Sequence, residues 1–153
     1  MSSKRKLRIL LAASGGGHFV QMKRLLPAFE GHELHLLTTD AGLGGQVETA
    51  SFRVVRDATR WNKFALMLSA LGVAWTVLRV RPHIVLSTGA APGFLACLFG
   101  RFLGARTVWI DSIANAEELS LSGAKAGKFV DLWLTQWPEL TTPTGPHYEG
   151  SVV

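Results

Sequence analysis

The stretch Leu7–Gln21, LRILLAASGGGHFVQ, decides the fold. A run of aliphatics breaks into three glycines, and a polar, helix-compatible segment follows. This is the pattern of a buried parallel strand, a tight turn and a helix N-terminus. Ser14, Gly15, Gly16 and Gly17 form the expected turn, and His18 falls in the first helical turn. Glycines let a backbone approach a ligand closely, and the free N–H groups and dipole of a helix start favour an anion. The same pattern also suits a plain strand-to-helix turn that binds nothing. Three sharper readings fail. A Walker A loop needs Lys-Ser/Thr after its last glycine, but His18 and Phe19 follow Gly17. A dinucleotide fingerprint needs a further glycine where Val20 stands. A nucleophile elbow needs glycine where Ala12 stands, two residues before Ser14.

Working outward, 153 residues suffice for one domain with a real core. With 48% hydrophobic and 18% charged residues, the chain is not of the disordered class. Its single cysteine, Cys97, excludes an internal disulfide and fits a reducing compartment. The net charge is +5, with Lys4, Arg5, Lys6 and Arg8 clustered at the start. That cluster is either a solvated terminus or an attraction to lipid headgroups and pyrophosphates. No basic run is interleaved with aromatics, so a nucleic-acid partner is not expected. The apolar stretch Ile9–Ala13 is too short for a signal peptide, and none is expected.

The glycine turn leads into a helix expected over 17–26, limited by Pro27. A second strand is expected over 32–38, then a Gly-rich loop over 39–46 beginning near Asp40, and a third strand over 51–55. His32 and His35 lack accompanying ligands at metal spacing, so no metal site is expected. A helix over 61–80 is unusual, because residues 64–78 carry no charge. Ser69, Gly72 and Thr76 line one narrow face and the rest is apolar, whereas a surface helix should show a charged face. The uncharged run would span about 22 Å, short of the roughly 30 Å hydrocarbon core. Lys63 and Arg79 are placed to snorkel, and Trp61 and Trp75 suit an interface. Burial in the domain or against a partner, interfacial membrane contact and a transmembrane span all remain open. For membrane contact the residues are Trp61, Phe64, Leu68, Leu71 and Trp75.

After Pro82, a buried strand over 83–87 runs into a second Gly-rich turn, Thr88 to Gly93, with Pro92 suited to the first helical position. The following helix should reach residue 103, with Gly104 as its cap. Further strands are expected over 105–110, ending in Asp111 and Ser112, and over 132–135, followed by Gln136 and Trp137. A loop over 113–121 and a short helix over 122–130 lie between them. The tail, 138–153, shows no clear helix. This alternation implies a Rossmann-like parallel α/β sheet with helices on both faces. In such sheets ligands bind outside the carboxyl ends of the strands, where both glycine turns, Thr38, Thr39, Asp40, Asp111 and Ser112 fall.

Taken in order, Ser14-Gly15-Gly16-Gly17-His18 with Gln21, Ser87-Thr88-Gly89-Ala90-Ala91-Pro92-Gly93, Ile110-Asp111-Ser112, Leu119-Ser120-Leu121-Ser122-Gly123, Asp131-Leu132 and Gln136-Trp137 resemble a known family. The resemblance is to the acceptor-side subunit of two-subunit GT-B glycosyltransferases. One branch anchors the dolichol-pathway UDP-N-acetylglucosamine transferase at the membrane, and a nearer branch comprises bacterial PssD-like exopolysaccharide proteins. It implies a single domain over 1–153, equivalent to the N-terminal half of a GT-B enzyme, with a basic start (1–6) and a tail (138–153). It implies a peripheral protein on the cytoplasmic face of the membrane, paired with a separate subunit that binds the UDP-sugar. The acceptor would be a polyprenyl- or dolichyl-diphosphate saccharide, with no cofactor and no metal.

His18 is the expected base for an inverting transfer. Asp111 is a second candidate base or an orienter of sugar hydroxyls. Ser14, Gly15, Gly16, Gly17, Thr88, Gly89, Gly93 and Ser112 would surround phosphates, and Gln21 joins them by resemblance alone. Trp137, His147 and Tyr148 in the tail would contact the donor subunit. The sequence departs from the pattern at Asp111, where many relatives carry Glu, and at Asn115 and Glu117-Glu118, which replace a more basic loop. The resemblance implies an N-terminal transmembrane helix in eukaryotic relatives, and no counterpart to it is expected in residues 1–153. Two rival readings remain: a non-catalytic membrane-docking scaffold that recruits the enzyme, and an independent α/β protein that binds a small molecule.

Overall fold

A computed structural model describes residues 5–59 and 61–153, so Lys4 of the basic cluster lies outside the described residues. The strands are β1 (Arg8–Ala13), β2 (Glu33–Thr38), β3 (Ser51–Val54), β4 (Ile84–Gly89), β5 (Arg106–Ile110), β6 (Leu132–Thr135) and β7 (His147–Tyr148). The helices are α1 (Gly17–Leu25), α2 (Lys63–Val80), α3 (Ala90–Phe102) and α4 (Leu121–Ala126). All strands pair in parallel, in the order β3-β2-β1-β4-β5-β6-β7. Apart from β7 this is the doubly wound order, and it reverses between β1 and β4.

The pleat of β1 explains the layers. Leu10 and Ala12 point to a core shared with Val73 and Val77 of α2, Ala96 and Cys97 of α3, Ala126 of α4 and Trp109. Ile9, Leu11 and Ala13 point the other way, against Phe19 and Met22 of α1. Among the described residues, three helices cover one face and one covers the other.

Several boundaries differ from the sequence expectation. Thr88–Gly93 is not a loop: β4 continues to Gly89 and α3 starts at Ala90. The chain turns within two residues because Gly89 has φ 145° and Ala90 φ 69°. Pro92 is therefore the third helical residue, not the first. Gly93 lets α3 sit on the sheet, since a β-carbon there would collide with the Ser87 hydroxyl. Helix α4 is shorter than expected. Pro27 sits within a 3-10 turn, Leu26–Phe29, that continues α1. The tail adds a two-residue strand beside β6, too short for any alternation to announce it.

Helix α2 is inverted relative to an ordinary surface helix. Ala65, Ser69, Val73, Thr76 and Val77 face inward, so the small and polar stripe read from the sequence lies against the sheet. A β-carbon at Gly72 would stand 3.0 Å from Val55, which is why small residues suit that face. Asn62 caps the start by accepting from the Ala65 N–H at 3.0 Å. Arg8 caps the end, donating from Nε to the Val80 carbonyl at 3.0 Å and from Nη2 to the Arg81 carbonyl at 2.9 Å. Of the basic cluster, Arg8 thus serves the fold.

Candidate functional site

The order reversal places the ends of β1 and β4 side by side, and with them the starts of α1 and α3. Gly15 packs on Asp40, and its N–H donates to Thr39 Oγ1 at 3.4 Å. Gly16, with φ 70°, and Gly17 have nothing above them. Helix α1 has no side-chain N-cap and no acidic residue in its first turn; α3 likewise lacks both. Two uncapped N-termini at one sheet edge present backbone N–H groups and positive dipole ends to an anion. Ser14 is half-buried beside them.

His18 joins the two junctions. Its Nδ1 lies 3.0 Å from the Thr88 carbonyl oxygen, and Thr88 Oγ1 donates to the His18 carbonyl at 2.6 Å. A carbonyl can only accept, so Nδ1 carries the hydrogen and the neutral ring leaves Nε2 with a free lone pair. That tautomer is the one a general base needs. The ring fills the space above Gly89, where a β-carbon would overlap it. Gly89 and Gly93 therefore make room for the His18 ring and the Ser87 hydroxyl.

Asp111 is 1% exposed, not open to a substrate. Oδ1 accepts from Trp109 Nε1 at 3.1 Å and from Ser120 Oγ at 2.6 Å; Oδ2 accepts from Asn115 Nδ2 at 3.1 Å and from the Ser120 N–H at 3.0 Å. Four donors occupy the carboxylate and pin the segment between β5 and α4. Ser120 in turn caps α4 by accepting from the Gly123 N–H at 2.9 Å. The geometry makes Asp111 a positioning residue rather than a second base.

Gln21 and Ser112, both expected among the phosphate-binding groups, are also buried, at 4% and 7% exposure. Gln21 Nε2 donates to Ser112 Oγ at 3.1 Å. Gln136 Nε2 donates to Gln21 Oε1 at 2.8 Å and to the Asp111 carbonyl at 3.0 Å, while its Oε1 accepts from the Val152 N–H at 2.7 Å. This network ties α1, the β5 loop, β6 and the tail together, and each buried amide group finds a partner. Gln136 was legible only as half of a dipeptide motif, and nothing local showed its role. Trp137, expected to face a partner, donates from Nε1 to the Ile113 carbonyl at 2.7 Å, whereas Tyr148 is 40% exposed.

His32 and His35 serve separate ends. His32 Nδ1 accepts from the Leu7 N–H at 3.2 Å, while His35 lies between Ser51 Oγ and Glu33 Oε1. Away from the sheet edge, the outer face of α2 exposes Phe64, Met67, Leu71, Trp75 and Leu78, each more than half exposed, with Trp61 just before the helix at 80%. Leu68 is only half-buried and stands beside this stripe. Phe102 and Leu103 extend the stripe at the end of α3. The helix is long and apolar enough to cross a bilayer by length and composition, yet its inner face is packed on the sheet.

These features define a class: a parallel, doubly wound α/β domain with two glycine junctions at its switch point, the fold of GT-B glycosyltransferases and their structural kin. It superposes on Acinetobacter baumannii MurG with a TM-score of 0.69 at 16% identity, covering 96% of this chain and 44% of that one. The UDP-GlcNAc 2-epimerase of Methanocaldococcus jannaschii gives 0.66 at 8% identity, covering 90% and 40%. The chain thus spans less than half the length of the solved structures it matches.

Residues 45–151 match the model of the family described as "Oligosaccharide biosynthesis protein Alg14 like", and the chain belongs to that family. It is similar to the Schizosaccharomyces pombe "UDP-N-acetylglucosamine transferase subunit alg14", 29% identical over 92% of this chain and 82% of that one. The Mus musculus protein named likewise is 25% identical, covering 92% and 80%.

Proposed function

We propose that this chain is the acceptor-binding subunit of a split inverting glycosyltransferase. A partner subunit holds the UDP-sugar, and the acceptor is a polyprenyl-diphosphate-linked saccharide, as in lipid-linked oligosaccharide or exopolysaccharide assembly at the cytoplasmic face of a membrane. The observation that carries the reading is the 3.0 Å contact between His18 Nδ1 and the Thr88 carbonyl oxygen, which selects the Nδ1–H tautomer and leaves Nε2 as a base at the reversal point of the sheet. In transfer, Nε2 takes the proton of the acceptor hydroxyl as its oxygen bonds to the anomeric carbon. The bond from that carbon to the UDP oxygen breaks on the opposite side, and UDP leaves with the electron pair. The open space beside Gly16 and Gly17 at the start of α1 suits the acceptor diphosphate, and the exposed stripe of α2 suits the membrane that carries it.

The test is transfer by the reconstituted pair with UDP-sugars and a lipid-diphosphate acceptor. His18→Ala should lower turnover about 10²–10⁴-fold, the range of a lost general base, with partner binding unchanged. The isolated chain should transfer nothing. Full activity of the His18→Ala pair would favour the scaffold reading, which the α2 stripe supports equally well. Turnover by the chain alone would overturn the split enzyme.

A further inference from the structure

Between the first turns of α2, α3 and α4 runs a groove of about 320 Å³. Leu66, Ala91, Phe94, Leu95 and Leu121 form its apolar lining, Ser122 and Lys125 its polar lining, and no carboxylate is among its lining residues. The first turns of these helices lie at the carboxyl edge of the sheet, the edge of His18. One wall begins at Ala91, two residues beyond the Gly89 that seats the His18 ring. The opposite wall, Leu66, sits in α2 between the exposed Phe64 and Met67. The groove therefore joins the reacting edge to the apolar stripe. Its α4 wall is fixed, because Ser120, the cap of α4, is held twice by Asp111.

We infer that this groove takes the leading isoprene units of a polyprenyl-diphosphate acceptor whose diphosphate lies at the sheet edge beside Gly16 and Gly17, with Lys125 as the one cation along the track. The inference rests on the acceptor-subunit reading above. Such a ligand needs an anion site at one end, a hydrocarbon surface at the other and an apolar track between them. An apolar wall with a single cation and no lining carboxylate complements a chain that begins at a negative head. It also gives Asp111 a purpose: it holds the wall of the track while His18 holds the proton.

The probe is a polyprenyl diphosphate bearing a diazirine on its second isoprene unit, in phosphatidylcholine vesicles with the full chain. Labelling needs no donor, partner or turnover. Crosslinks are expected within residues 91–95 and 121–125. Leu66→Trp should fill the groove, and Leu121→Asp, at a residue 61% exposed, should place a negative charge at its rim without disturbing the core. Each should cut crosslink yield by about tenfold or more, the scale on which an apolar pocket rejects a misfit, while vesicle flotation stays unchanged. Crosslinks confined to Phe64, Leu71 and Trp75, yield insensitive to both variants, or loss of labelling when the partner subunit is added would each overturn the inference. With the partner present, both variants should raise the KM of the polyprenyl acceptor about tenfold relative to the same saccharide diphosphate on a short alkyl chain. Labelling as expected without transfer to either acceptor would support the groove and count against the catalytic reading alone.

Discussion

The imidazole of His18 occupies the space that a side chain at Gly89 would fill, although the two lie 71 positions apart in the chain. With the hydrogen bond between His18 Nδ1 and the Thr88 carbonyl, this contact fixes both the place and the tautomer of the ring. The strained turn through Gly89 and Ala90 sits where the reaction would occur, as backbone strain often does.

Gly89→Ala should therefore act twice. It places a β-carbon at φ 145° and drives the His18 ring from its seat. A loss of about 1–3 kcal/mol in chemical denaturation is expected. The His18 resonances in an NMR titration should shift as the Thr88 contact breaks. An unmoved His18 signal would show that the glycine is not what positions the ring.

Asp111→Asn keeps shape but replaces one acceptor oxygen with an NH₂ that faces N–H and O–H donors. Because the carboxylate is buried and receives four donors, the cost should be about 2–4 kcal/mol. Hydrogen exchange should quicken across residues 112–126, since Ser120 loses its anchor. Wild-type stability in this variant would remove Asp111 from the positioning role.

The stripe on α2 predicts that Leu71→Lys with Trp75→Lys leaves the fold intact, since both side chains are more than half exposed. Stability should change by no more than about 0.5 kcal/mol per site, the usual range for surface positions. Flotation with anionic liposomes should fall sharply. Unaltered flotation by the folded double variant would assign the stripe to a protein partner.

Burial pushes the Cys97 thiol up from its ordinary 9.0 to about 12. The neutral thiol is thus favoured by the fold, and its contribution to stability is complete below pH 9.0. That contribution is lost as pH rises towards about 12, because the unfolded chain ionises first. Thiol reagents should label Cys97 only on unfolding, and Cys97→Ala should flatten the alkaline decline in stability relative to wild type. Rapid labelling of the native protein would contradict this burial.

The sequence by itself determined the elements whose signals are local. The aliphatic run into three glycines defined β1 and the start of α1, Pro82 bounded α2, and residues 132–135 marked β6 to the residue, because period and punctuation act over a few positions. It also marked His18 and the loss of charge in α2. Tertiary structure alone decided which face of α2 turns inward, since a helix with no charged side has nothing to hold one face in solvent; the close approach of Val55 to Gly72 puts the small and polar stripe against the sheet. It buried Asp111, Gln21 and Ser112, made Gly89 a seat for His18, and drew the tail onto Gln136. Each of these rests on partners far apart in sequence, such as Gln21 and Gln136, 115 positions apart, and their meeting depends on how the strands are ordered. A pattern read along the chain carries no trace of such contacts, because they exist only once the sheet has brought the strand ends together.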